Sequence, residues 1–169
     1  MASVIVYFSH RGENIVNGHP LFLAKGNTQV LAEKIHKATG AVLFEIQAAE
    51  PYSEVYEAVS ERAKREYEQN SLPEIAGIIP NFGNFDTIYI GFPIWYRTYP
   101  RIINTFLKKA DLRGKIIKPF CTNDEGSFGT AELELASYLK GANTVKSGLS
   151  VNGYKVNECD EALAKWLAK

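Results

Sequence analysis

Charge of one sign, cysteine and long apolar runs are all scarce in this chain, and each shortage removes a class of function. Lysine and arginine number 19 against 19 aspartates and glutamates, so the formal net charge is zero. No long block of one sign occurs. This balance gives no electrostatic reason to expect a nucleic-acid or membrane partner. No apolar stretch reaches the ~20 residues that span a bilayer. The opening MASVIVYFSH lacks a basic segment, and its apolar run is too short for a secretory signal. The two cysteines, Cys121 and Cys159, make no disulfide framework. Both are expected as reduced thiols in a cytoplasmic protein. His10, His19 and His36 show no metal-ligand spacing, so no metal site is expected. There is no GK[ST] phosphate loop, no GxGxxG, no internal repeat and no linker. A single domain over residues 1–169 is expected, long enough to bury a core.

What the chain does contain is an alternation of short apolar runs and amphipathic stretches. Ser3 to Phe8 reads as a first, doubly buried strand. Residues 10–25, with Gly12, Gly18, Pro20 and two asparagines, read as a long loop with an apolar patch at Leu21 to Leu23. Gly26-Asn27-Thr28 opens a helix whose inner stripe is Val30, Leu31, Ile35 and Ala38, and Gly40 stops it. His36, among polar residues of that helix, is expected at the surface. Ala41 to Ile46 reads as strand two. Ser53 is a candidate N-cap for a second helix striped by Val55, Val59 and Ala63. A connection follows over residues 70–84.

Thr87 to Phe92 reads as strand three, stopped by Pro93, with Trp95, Tyr96 and Tyr99 crowded into the loop beyond it. A helix follows Pro100, and Lys115 to Cys121 is strand four. Thr122 to Gly129 is a polar loop, and a fourth helix carries Ala131, Leu135 and Leu139 and ends near Gly141. A fifth strand is placed within residues 144–151, interrupted by Ser147 and Gly148. A last helix is capped at Asn157, with Leu163, Trp166 and Leu167 turned inward. Five strands alternating with helices imply a parallel sheet covered on both faces by right-handed crossovers.

In a doubly wound sheet of order 2-1-3-4-5, the loops after strands one, three and four meet at the switch point, where such sheets bind ligands. Gly26-Asn27-Thr28 at a helix start offers free amides and a positive dipole end to an anion. Ser9 and Thr28 add hydroxyls, and Arg11 and Lys25 add charge. The second loop offers flat aromatic surface. The third offers polar groups able to bond the edge of a heterocycle. Together they describe a site for a mononucleotide with a flat ring.

These loops resemble those of the flavodoxin family: YFS at 7–9 with GNT at 26–28, GFPIWY at 91–96 and CTNDEGSFG at 121–129. The resemblance covers the whole chain. It implies a flavodoxin-like three-layer α/β fold and non-covalently bound flavin mononucleotide, FMN. Phosphate contacts fall on Ser9, Asn27 and Thr28, with His10, Arg11, Lys25 and Gly26 beside them. Ring contacts fall on Pro93, Ile94, Trp95 and Tyr96, Trp95 being preferred over Tyr96 as the stacking partner. Contacts to the pyrimidine edge fall on Thr122, Asn123, Glu125, Gly126, Ser127 and Gly129. The function implied is electron transfer to redox partner proteins or small-molecule acceptors, with no catalytic residue required and a monomer or weak dimer expected. The alternative on the same fold is an FMN-dependent NAD(P)H, quinone or nitro-compound reductase.

Two features depart from the family pattern. Residues 10–25 are an insertion in the phosphate loop; Leu21 to Leu23 are expected to pack on the domain and hold its polar half over the phosphate or ribityl chain. The neutral net charge contrasts with acidic electron carriers.

Overall fold

Strand β1 (Ser3–Tyr7) shows how the core is divided: Val4 and Val6 face one side of the sheet, Ile5 and Tyr7 the other. The computed structural model describes residues 1–139 and 144–169. After β1 come β2 (Gly12–Val16), β3 (His19–Leu23), α1 (Asn27–Thr39), β4 (Val42–Glu45), α2 (Tyr56–Glu68) and β5 (Thr87–Pro93). There follow α3 (Arg101–Lys109), β6 (Ile116–Asn123), α4 (Ala131–Tyr138), β7 (Thr144–Val145), β8 (Leu149–Asn152), a 3-10 turn (Gly153–Glu158) and α5 (Asp160–Leu167).

The main sheet runs β4-β1-β5-β6, with β7 and β8 sharing the place beyond β6, and every pairing in it is parallel. Counting β7 and β8 as one broken strand gives the expected 2-1-3-4-5 order. One apolar layer joins Val4, Val6, Ile88, Ile90, Phe92 and Ile117 to Ile102, Ile103 and Phe106 of α3 and Leu135 of α4. The opposite layer joins Ile5, Tyr89 and Phe120 to Leu31 and Ile35 of α1 and Leu163 and Trp166 of α5. No helix of the described residues is long and apolar enough to cross a membrane.

The break in the fifth strand has a cause in its neighbour. Ile117 accepts a hydrogen bond from the Lys146 amide, so odd-numbered residues of β6 face that strand. Pro119 is the next odd residue and has no N–H to give. The fifth strand leaves the ladder there and rejoins it at Leu149 opposite Phe120. Strand β6 itself runs on to Asn123, because Thr122 and Asn123 pair with Val151 and Asn152. The sequence pattern places those two residues in the loop, and the pairing with β8 corrects this.

Three other expectations are corrected. Residues 10–25 are not an irregular loop but an antiparallel hairpin, β2 on β3. Its turn is Asn17-Gly18, with φ of 54° and 76°, the left-handed pair a two-residue hairpin turn requires. Ser53 does not cap α2. Its hydroxyl accepts from Val55 two residues on, and the first helical amide, Tyr56, donates instead to the Glu13 carboxylate of the hairpin at 2.9 Å. Asn157 lies inside the 3-10 turn, and α5 begins at Asp160. His36 is exposed as expected, its ring bonded to the Ala41 carbonyl. The expected helix end near Gly141 lies outside the described residues.

Gly91, in the centre of the sheet, sits directly under the Phe120 ring, which a methyl group at position 91 would overlap. Gly91→Ala should therefore cost about 1–3 kcal/mol of stability, the usual penalty of overpacking. Chemical denaturation would show a lower midpoint at unchanged slope, and Phe120→Leu in the same chain should recover part of the loss.

Candidate functional site

Parallel register brings the carboxyl ends of β1, β5 and β6 level: Tyr7 lies opposite Gly91, Gly91 opposite Phe120, and Pro93 opposite Thr122. Their loops enclose a cavity of about 350 Å³, in the range of about 300–1,000 Å³ that holds small molecules.

One end of the cavity is the start of α1. Gly26 precedes the helix with no side-chain cap. It comes so close to Ser9 and the His10 carbonyl that a Cβ there would collide with both. The Ser9 hydroxyl accepts from the Gln29 amide at 3.1 Å. The Asn27 and Thr28 amides have no partner among the described residues, so two donors and the positive end of a helix dipole are left for an anion. Thr28 is fully buried, and its hydroxyl lies 2.7 Å from that of Thr122. One hydroxyl of the pair accepts, so one hydroxyl proton remains to be donated elsewhere.

The second side is the loop after β5. Trp95 and Thr98 exchange backbone hydrogen bonds of 2.8 and 3.2 Å across a two-residue turn. Tyr96 and Arg97 occupy it at φ of 51° and 67°. Left-handed non-glycine residues cost on the order of 1 kcal/mol or more each and persist where surroundings hold them. Tyr96 is held by α2: its ring stacks on Tyr67 at 6.1 Å and its hydroxyl donates to the Ser60 carbonyl at 2.9 Å. Trp95 is wedged edge-to-face among Phe8, Tyr52 and His10 at 5.5, 5.2 and 6.0 Å. Tyr52 is itself fixed by hydrogen bonds to the buried Glu66 carboxylate, and burial, followed by that carboxylate, raises its phenol pKa well above the ordinary value.

The third side is the loop after β6. The Asn123 side chain gives a hydrogen bond to the Ser150 hydroxyl at 2.8 Å and takes one from the Gly126 amide at 2.6 Å. The Asp124 and Glu125 amides have no partner among the described residues. Loops two and three are tied together by Ile94 N–H to the Thr122 carbonyl (2.9 Å) and Thr130 N–H to the Arg97 carbonyl (2.7 Å). Cys121 lies behind the loop, fully buried, and burial pushes its thiol up to about 11.

Of the residues singled out in the sequence, His10, Asn27, Thr28, Pro93, Ile94, Trp95, Tyr96, Thr122, Asn123 and Glu125 line the cavity. Ser9, Gly26, Gly126 and Gly129 do not line it; they shape the surrounding loops, and Gly129 packs on the Arg97 carbonyl too closely for any Cβ. Ser127 accepts from the Gly129 amide, also outside the lining. Arg11 and Lys25 are drawn away by carboxylates nearer to hand: Arg11 pairs with Glu54, and Lys25 with Glu33 at 2.6 Å. Leu21 and Phe22 are 50% and 58% exposed, contrary to the expected packing of the insertion. The hairpin stands off the main sheet, and it is β2, through Asn14 and Ile15, that faces the cavity. Sequence reasoning also missed the α2 wall of Tyr56, Val59, Ser60 and Ala63, and Asp124. Val59 and Ala63 stood out as an apolar stripe, but the stripe does not say what it covers.

A family model described as flavodoxin matches residues 19–169. No curated protein matches the chain by sequence. Among solved structures, a candidate flavoprotein from Bacteroides uniformis is 30% identical, with 99% of this chain and 98% of that chain covered and a TM-score of 0.79. One from Bacteroides eggerthii is 28% identical, covering 96% and 98%, with a TM-score of 0.72. A flavoprotein from Lactobacillus acidophilus, solved in complex with FMN, shares the fold at 21% identity, 93% and 97% coverage and a TM-score of 0.67.

The Asn123 amide is the brace of the third loop. Asn123→Ala should cost about 0.5–1.5 kcal/mol, the net worth of an ordinary hydrogen bond, since it removes the bonds to the exposed Gly126 amide and the part-buried Ser150 hydroxyl. Hydrogen exchange should speed up at Gly126 before it does in β5; unchanged exchange there would show that the loop is held by its backbone alone.

Proposed function

Because the chain belongs to the flavodoxin family, we propose that it binds FMN in the cavity at the ends of β1, β5 and β6 and serves as an electron-transfer protein. The observation that carries this is the meeting of three unlike surfaces in one cavity. Unpartnered amides of Asn27 and Thr28 suit a phosphate, the Trp95 indole suits a flat ring, and the free amides of Asp124 and Glu125 suit a polar ring edge. Each lies on a different loop, and a phosphate ester of a planar heterocycle meets all three. The residues therefore fit FMN.

Bound FMN would supply the redox chemistry, accepting and releasing electrons. The chain's own part is to bind, orient and exclude water. Asn27, Thr28 and the Thr28–Thr122 hydroxyl pair hold the phosphate by charge-assisted hydrogen bonds. No lysine or arginine among the described residues lines the cavity, so amides and the helix end carry the anion. Trp95 offers the stacking face. Tyr96, latched to α2, closes the side of the cavity and leaves the stacking role to its neighbour. Redox proteins or small acceptors of electrons are the partners this reading calls for.

A second reading, an FMN-dependent reductase of quinones or nitro compounds, has one observation in its favour. Ile15, Tyr56, Val59 and Ala63 form a largely apolar wall that a simple loop site lacks, and such a wall suits a second planar molecule.

Reconstitution with FMN tests both readings. The loaded protein should show a bound-flavin visible spectrum with quenched emission, and Trp95→Ala should brighten that emission while Tyr96→Ala leaves it nearly unchanged. The reverse pattern would assign the stacking role to Tyr96. Rapid consumption of NADH or NADPH with menadione would favour the reductase; none would favour the carrier.

A further inference from the structure

The dipeptide Asn-Gly occurs twice in the chain, at Asn17-Gly18 and at Asn152-Gly153. It is open to a reaction of its own. The glycine amide nitrogen attacks the asparagine Cγ, with no glycine side chain to obstruct it. Ammonia leaves and a succinimide ring forms. Water then opens the ring at either carbonyl, leaving aspartate or isoaspartate. One side-chain amide is lost and one carboxylate gained, with no oxidant or enzyme required. The attack needs the backbone to swing out of its folded geometry, so local opening decides which site reacts.

The two sites differ in what opening requires. Asn17 and Gly18 are exposed, and among the described residues nothing lies within 4 Å of the place a Gly18 Cβ would take. They form the tip of a two-stranded ribbon that no sheet pairing of the described residues joins to the main sheet, and such a ribbon is marginal by itself. Pairing of Val16 with His19 closes the tip, and the Asn17 amide latches it to the Asp124 carboxylate at 2.7 Å. Asn152 instead ends β8, pairs with Asn123 of β6 in the main sheet and has its side-chain oxygen buried. Gly153 is backed by the Asn27 side chain, 2.4 Å from where a Cβ would stand. Opening there breaks the parallel ladder.

We propose that Asn17 is a deamidation site and that its conversion unlatches the hairpin from the third loop. Aspartate at position 17 sets a second negative charge beside the Asp124 carboxylate, and like charges repel. Isoaspartate also routes the backbone through the side-chain carbon, which lengthens a turn whose geometry fixes the strand register. Either product frees the tip, while the other end of the hairpin stays fastened. There the Glu13 amide donates to the Glu54 carbonyl at 2.8 Å and Tyr56 N–H to the Glu13 carboxylate at 2.9 Å. The modification itself needs no ligand. Asn14, Ile15 and Asp124 line the cavity, so on the reading that FMN is the ligand, the modified chain holds it less tightly.

The test incubates the full chain in mildly alkaline, ammonia-free buffer and follows its tryptic peptides 12–25 and 147–155 by mass spectrometry. Residue 17 should convert at least about tenfold faster than residue 152, because a marginal ribbon opens far more often than a strand of the main sheet. In urea the two rates should converge, since the dipeptide is the same. Equal rates in the folded chain, or a faster reaction at residue 152, overturn the site. Asn17→Asp, which keeps a turn-forming dipeptide, should speed hydrogen exchange at the Val16 and His19 amides and weaken FMN by about two- to threefold, the scale of one exposed charge pair. The isoaspartate form, separated by chromatography, should weaken it more. Adding Asp124→Asn to Asn17→Asp removes the repulsion and should restore slow exchange. Exchange at the tip unchanged in both modified forms overturns the unlatching. Selective conversion of residue 17 in a chain that binds no FMN before or after supports the site and overturns the proposed function instead.

Discussion

Parallel pairing of β1, β5 and β6 forces all three strands to end on one edge of the sheet. The rest of the site depends on that constraint. Each strand is buried on both faces, so each is mainly apolar, Lys118 and Thr122 of β6 being buried exceptions, and most polar residues are pushed into the connections. The order β4-β1-β5-β6 puts the chain reversal between β1 and β5, where the helices leave to opposite faces and a crevice opens. The Thr28–Thr122 hydroxyl bond spans that crevice, joining the start of α1 to the end of β6. It sets the distance between the anion-binding end of the cavity and its polar edge.

The loops around the crevice are held in costly conformations. Tyr96 and Arg97 sit at positive φ, and Gly26 and Gly129 approach other backbone more closely than any side chain allows. Such strain needs restraint from outside the loop. Loop two is restrained by Tyr67 and Ser60 of α2, loop three by Asn123 and the Arg97 carbonyl, and the first loop by the hairpin's fastening to α2. Helix α2 therefore serves less as a cover for the sheet than as the post to which two loops are tied.

The strands and the three loops were legible in the sequence because they rest on local patterns, whereas the strand order came with the family resemblance. Alternating apolar runs, stop residues such as Pro93 and Gly40, and a GNT triplet at a helix start are all short-range signals. Residues 10–25 carry a short-range signal of their own. Asn17-Gly18 is a strong hairpin dipeptide, and it converts the presumed loop into β2 and β3. Pro119 inside a central strand marks the gap in the ladder where the fifth strand breaks. Other features had no local signal. Glu13 caps α2 from 43 residues away, Asp124 receives the Asn17 amide, and Glu54 and Glu33 claim Arg11 and Lys25. A sequence shows that a cation is present near a loop; it does not show which carboxylate will neutralise it.

The central claim is that one ligand is gripped at once by the start of α1 and by the loops after β5 and β6. The most direct measurement is a backbone amide NMR titration of the full chain with FMN. The account predicts saturable shifts at Asn27 and Thr28, at Trp95, and at Asp124 and Glu125, all with one midpoint, while amides of α5 stay in place. Shifts confined to one of the three loops, or centred on a different face of the sheet, would contradict it.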